Sequence, residues 1–233
     1  MIDLGATSFH IQVPRLPPSE LESFSTSLFD TWERSVEQTL TLNDYALSLR
    51  IDEGSVKGFG RIAVVLGALY LGIGEYGSFI NGLQIIRAQV ATVTTALTDS
   101  VVSGLPGGNR APKIRRSGAT LAKLQTLFNK VQHGELTADE AMRQATVLLG
   151  SDGAETPEFM AALHSALADA PRFPQQIPLP YELQDDEVVE QAHSPRLPTP
   201  PSPRPAPATG HFRVEVWRDS KRSERHVSLV KLK

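Results

Sequence analysis

The sequence predicts an α+β fold: a small strand–helix–strand unit packed on glycine-rich helices, then a helical hairpin region, then a C-terminal β-hairpin on a proline-rich tether. Three observations carry this. Apolar residues alternate with period two near both ends of the chain, as in half-buried strands. Between those ends they recur at three- and four-residue steps, the stripe of an amphipathic helix. Glycine and proline gather at the joints, where the backbone has to turn or stop. The implied boundaries are 1–53 for the strand–helix–strand unit and 54–102 for a glycine-rich apolar helical segment. A basic loop takes 103–117, a short helical bundle 118–170, an acidic and then proline-rich linker 171–210, and the hairpin 211–233.

In "SFHIQV", Phe9, Ile11 and Val13 share one face and predict the first strand. In "PPSELE", Ser19 and Glu22 have the spacing of a capping box, so a helix is expected to open there. Leu21, Phe24, Leu28, Trp32, Val36 and Leu40 form its apolar stripe, and Asn43-Asp44 ends it. Tyr45, Leu47, Leu49 and Ile51 then alternate as a second strand. A unit of this size cannot bury a core alone, so it must pack on the glycine-rich segment after it.

From Gly54 the texture changes, and between Arg61 and Arg87 the only formal charge is Glu75. Leu83, Ile86, Val90, Val93 and Leu97 step by three and four, a seam that wants a partner helix. "SGLPGGNRAPKIRRSG" carries Arg110, Lys113, Arg115 and Arg116 with no acid. "LAKLQTLFNKVQHGELTADEAMRQATVLLG" reads as two short helices, the first stopped by Gly134 and the second opened by a Thr137/Glu140 capping box. A third helix starts with Pro157 in its first turn and ends before Pro171. Beyond it, "YELQDDEVVEQAH" is acidic and "PRLPTPPSPRPAP" has the composition of a semi-rigid spacer. In the last segment Phe212, Val214 and Val216 precede a charged turn, with Val227 and Leu229 after it. An isolated hairpin is marginal in water, so this one is expected to dock on something.

Several chemistries are excluded or unsupported. The sequence has no cysteine, so disulfides and thiolate metal sites are ruled out within it. Its six histidines include no i, i+4 pair, and there is no H-E-x-x-H, G-x-S-x-G or phosphate-loop motif. No catalytic residue, metal site or cofactor is therefore expected. The formal net charge of −3 argues against a nucleic-acid partner for the whole molecule, although Trp217 and Phe212 offer some stacking surface. The N-terminus lacks a charged n-region followed by an apolar h-region, so cytoplasmic synthesis is the expectation.

The glycines admit three readings. Gly72, Gly74 and Gly77 spell G-x-G-x-x-G, with Asp99 placed 22 residues after Gly77 as a dinucleotide loop would want. Yet Gly60, Gly67 and Gly74 recur every seven residues, and Gly74, Ser78 and Gly82 every four. Small residues at such steps let helices approach closely. If Ile62 to Ile86 meets lipid, its twelve Leu, Ile, Val and Phe residues contribute roughly −4 to −7 kcal/mol to insertion, against about +3 kcal/mol for a central carboxylate at Glu75. If it does not, the same glycines pack a buried helical hairpin. The cations Arg110, Lys113, Arg115, Arg116, Lys221, Arg222 and Arg225 are candidates for lipid headgroups, attracted by about 1 kcal/mol each near an anionic surface.

Two resemblances add to this. Leu121, Leu124, Leu127, Gly134, Leu136, Thr137, Glu140, Leu148 and Leu149 resemble the pattern of the SHOCT-type helical hairpin, with Ala141 where the family usually has an aromatic. That implies an oligomerisation or docking hairpin. "EGSVKGFGRIAVVLGALYLGIGEYGSFINGL", residues 53–83, resembles small bacterial proteins, some of them in two-gene antiphage defence systems as membrane-acting partners of a sensor. The expectation is a non-enzymatic, membrane-associating effector or partner subunit of such a system. It would be cytoplasmic and peripheral or conditionally inserted, with a partner protein of the same system. Self-association would run through 83–97 or 121–149. The alternative is a soluble adaptor or oligomerisation protein whose apolar segment is core, and the third reading is a nucleotide-binding enzyme.

Overall fold

The structure, a computed structural model, describes residues 1–11, 16–53, 56–104, 113–117, 119–173 and 211–232. The fold is α+β. In chain order the elements are β1 (Ile2–Ile11), α1 (Pro18–Thr39), β2 (Ala46–Asp52), β3 (Val56–Val64), α2 (Leu66–Gly74) and α3 (Phe79–Gly104). They continue as β4 (Lys113–Ser117), α4 (Ala119–Gln132), α5 (Ala138–Glu155), α6 (Pro157–Ala168), β5 (His211–Arg218) and β6 (His226–Leu232). The strands form one antiparallel sheet of order β4-β1-β3-β2-β5-β6.

β2 alternates as the sequence demands, with Tyr45, Leu47, Leu49 and Ile51 all buried. They face inward, where α1 and α3 pack. α1 sends Trp32 into the core, and its Nε1 donates to the Val93 carbonyl of α3 at 3.1 Å. Leu83, Ile86, Val90, Val93 and Leu97 are all buried, so the seam of α3 finds its partners within the chain. α4 packs beside β1, and α2, α4 and α6 close on α3 through an aromatic cluster, with α5 against α4 and α6. There Phe79 meets Phe128 at 6.1 Å and Phe159 at 5.2 Å between ring centroids. α4 stops at Gly134, whose φ of +73° suits a residue without Cβ. The Thr137/Glu140 capping box opens α5: the Glu140 amide donates to Thr137 Oγ1 at 3.2 Å and the Thr137 amide to Glu140 Oε2 at 2.9 Å.

Several sequence expectations change. β1 starts at Ile2, well before the alternating "SFHIQV"; Val13 lies outside the described residues. α1 begins on Pro18, with no side-chain cap, so Ser19 and Glu22 make no capping box. Proline at the first position needs no partner for a missing N–H, which lets the helix start two residues early. The larger correction is β3. Residues 56–64 were expected to open a helical segment, yet they form a strand near the middle of the sheet, between β1 and β2. Its inward positions include Gly58 and Gly60, and glycine carries no apolar signal to complete the alternation with Ile62 and Val64. Part of the expected basic loop is also a strand, β4. The terminal hairpin is no appendage: β5 pairs with β2 from Asp52↔Arg213 to Leu47↔Arg218. Its inward Val214 and Val216 are fully buried. Of the proposed tether, residues 174–210 lie outside the described residues.

Candidate functional site

The second face of the sheet is where the surface chemistry collects. Strand alternation and register set three rows across all six strands. The first runs Lys113, His10, Lys57, Asp52, Arg213, Val230. The second runs Arg115, Ser8, Phe59, Arg50, Glu215, Ser228. The third runs Ser117, Ala6, Arg61, Ser48, Trp217, His226. Every one of these residues is exposed or half-buried, whereas the inward positions between them on β1, β2, β3 and β5 are buried. Six are cations, Lys57, Arg50, Arg61, Lys113, Arg115 and Arg213, against two acids, Asp52 and Glu215, with Asp3 beside them on Arg61. The face is thus net positive on a chain whose formal charge is −3.

Two of the cations are neutralised in place. Arg213 grips Asp52 with two hydrogen bonds, Nε to Oδ1 at 2.6 Å and Nη2 to Oδ2 at 3.2 Å. The bonded carboxylate holds that guanidinium protonated still more firmly than usual. Arg61 is paired with Asp3. Arg50, Lys57, Lys113 and Arg115 make no ion pair with another described residue. Near the middle of the face lies a cleft of about 220 Å³, lined by Ser48, Leu49, Arg50, Phe59, Arg61, Glu215, Val216 and Trp217. Its aromatic walls are already ordered. The Arg50 guanidinium sits 5.6 Å from the Phe59 ring centroid, and Trp217 stacks on His226 at 5.3 Å and 26°. The arrangement offers flat π surfaces and positive charge side by side, which suits binding through contacts.

The glycine set singled out in the sequence is dispersed. Gly60 lies in β3, where a Cβ would stand 2.4 Å from Leu97 Cδ2 and 3.5 Å from Trp32 Cη2. Gly72 faces Leu42, and a Cβ at Gly82 would stand 2.5 Å from the carbonyl oxygen of Ile73. These three do permit close approach. Gly67 and Gly74 do not: nothing stands within 4 Å of their missing Cβ. Gly5 and Gly58, which the pattern missed, belong with the packing set, beneath Val90 and the Phe9 ring. Gly77 and Ser78 make the turn between α2 and α3, and Glu75 is exposed at the end of α2. The G-x-G-x-x-G therefore joins two helices, whereas a dinucleotide loop joins a strand to a helix. The Tyr76 and Gly77 amides are spent on Ile73 and Gly74 carbonyls at 3.2 and 3.4 Å.

The expected headgroup cations are not one patch. Lys113 and Arg115 stand on edge strand β4, where Arg116 instead donates to Thr98 at 3.2 Å. Lys221, Arg222 and Arg225 sit in the β5–β6 turn, toward the other edge. Five strand spacings separate the two edges, roughly 24 Å. Arg225 pairs with Asp30, and Lys221 lies 5.6 Å from the Tyr45 ring centroid. Arg110 lies outside the described residues. No helix of the described residues is long and apolar enough to cross a membrane. The stretch from Ile62 to Ile86 is instead divided among a strand, a nine-residue helix and the start of α3.

Comparison with family models, with curated proteins and with solved structures finds no match. The open face must speak for itself.

Proposed function

We propose that this protein is a non-enzymatic contact subunit, a partner protein of an antiphage defence system, whose working surface is the open face of the sheet. One observation carries the reading. Four cations with no ion pair among the described residues and two aromatic walls share one face of the sheet, while most of the apolar segment that suggested lipid is spent on the core. The terminal hairpin supplies Trp217 and Glu215 to that face, which gives the hairpin a reason to be built into the sheet. The defence context rests on the resemblance of residues 53–83. The test is lysine-selective labelling of the protein alone and in the complex purified with the products of its native locus. Protection of Lys57 and Lys113, with Lys123 and Lys130 on α4 labelled as before, is the expected result. Protection of the α4 lysines alone overturns the assignment of the surface.

A second reading, peripheral membrane contact of a cytoplasmic protein, is favoured by α2. Its outer side turns Val65 and Leu71 to solvent, 48% and 61% exposed, beside the open Gly67 and Gly74. An interfacial helix needs such a face. Flotation with anionic liposomes at low salt, abolished by Leu71→Asp, supports it; no flotation ends it.

A further inference from the structure

We propose that the ligand of the open face is single-stranded nucleic acid, gripped through its phosphates by Arg50, Lys57, Lys113 and Arg115, with unpaired bases stacked on Trp217 and on the Arg50–Phe59 pair. The proposal rests on the reading of this face as the working surface and names its chemistry. Trp and Arg anchors also serve protein interfaces, and what favours a single strand is the surplus of cations beside flat π surfaces, which matches a polyanion with exposed bases. A single strand uses both, because every base has a π face and every nucleotide a phosphate. Trp217 and Phe59 stand two strands apart, on β5 and β3, with Arg50 of β2 between them. Strand spacing puts them roughly 10 Å apart across the sheet, so a base entering the cleft meets Trp217 on one side and the guanidinium on the other. Asp52 and Asp3 neutralise Arg213 and Arg61, and the cations with no ion pair among the described residues are spread from β2 to β4. A bound strand would run across the sheet, from Trp217 toward Lys113 and Arg115. A duplex presents phosphates but hides its base faces, so it is expected to bind only through charge.

The structure provides its own reporter. The chain has two tryptophans; Trp32 is fully buried and Trp217 half-buried on the face. Titrating the full-length protein with an unstructured oligonucleotide of about 12 nucleotides should quench Trp217 while leaving the Trp32 emission in place. Four phosphate contacts predict a log–log salt slope of about −3, roughly a 50-fold loss of affinity between 50 and 200 mM salt. Trp217→Ala should weaken binding by about 5- to 150-fold, and Trp217→Phe should restore most of it, because the platform and not the indole N–H is used. Arg50→Glu should weaken binding and lower the salt slope. Both positions are solvent-facing, and far-UV circular dichroism checks that each variant is folded. Equal binding of single strand, duplex and base-free polyphosphate, with Trp217→Ala unaffected, would overturn the proposal in favour of charge alone. Binding to anionic vesicles with no binding to oligonucleotide overturns it in favour of lipid. No binding to any probe, alongside protection of Lys57 and Lys113 in the native complex, refutes the nucleic-acid ligand and leaves the working surface standing. Absence of that protection as well refutes both.

Discussion

Gly82→Ala tests the packing of the apolar segment against the idea that its glycines serve lipid. A Cβ at Gly82 would lie 2.5 Å from the Ile73 carbonyl oxygen, 2.9 Å from Ile73 Cα and 3.0 Å from its carbonyl carbon. All three atoms are backbone of α2, so no side chain can swing aside and the two helices must part. Overpacking of this kind costs about 1–3 kcal/mol. Alanine recovers up to about 1 kcal/mol over glycine in a helix, so the net loss is on the order of 1–2 kcal/mol. For a chain of this length that lowers Tm by roughly 2–8 °C. Gly67→Ala and Gly74→Ala point the other way. Their Cβ atoms would meet nothing within 4 Å, and neither has a positive φ. Each should gain about 0.4–1 kcal/mol by restricting the unfolded chain. Urea unfolding followed by circular dichroism reads all three in the absence of lipid. A stable Gly82→Ala together with a destabilised Gly74→Ala would refute the packing described, because the contact order of the two glycines would be reversed.

Burial, with Glu37 and Glu33 nearby, pushes the Tyr45 phenol up to about 12. The folded state thus keeps a proton that the unfolded chain loses near pH 10, so this contribution is intact below pH 10 and fades as pH rises toward 12. Unfolding at stepped alkaline pH should show the loss, and Tyr45→Phe should flatten it; a Tyr45→Phe profile identical to wild type counts against the shift. Thr137→Ala removes the hydroxyl that accepts from the Glu140 amide, and should cost about 1 kcal/mol in urea unfolding. A protease site inserted between residues 174 and 210 should yield two fragments that still co-elute in size exclusion. The β5–β2 pairing, the buried Val214 and Val216 and the Arg213–Asp52 pair hold the hairpin in place. Separation of the fragments without denaturant would contradict the sheet order.

The α+β class was legible because Leu47, Leu49 and Ile51 alternate, and because Thr137 and Glu140 sit three apart ahead of an apolar run. β3 was not legible. Gly60 falls into a seven-residue repeat that reads as helix packing and Gly58 into none, and only the sheet shows that the two make room for Phe9, Leu97 and Trp32. The partners of the Leu83–Leu97 seam were equally hidden, since a stripe says that a helix packs but not on what. The open face had no local signal at all. Phe59 and Trp217 lie far apart in the chain, and they line one cleft only because β2 is inserted between β3 and β5. Net charge hides the face for the same reason: −3 is a sum over the chain, and the acids of residues 182–190 offset cations that the fold gathers on one face.

The central claim, that this protein acts through the open face, is tested most directly by phage challenge of cells carrying its native locus. Arg50→Glu/Lys57→Glu/Arg115→Glu reverses three of the four cations of that face that pair with no other described residue, and Lys123→Glu/Arg143→Glu reverses the same kind of charge on the exposed sides of α4 and α5. Both variants keep every buried side chain, so both should fold and accumulate as wild type does. Loss of protection in the first variant alone is the predicted result. Full protection by the first variant, in cells where the wild-type locus protects and a deletion does not, would contradict the claim.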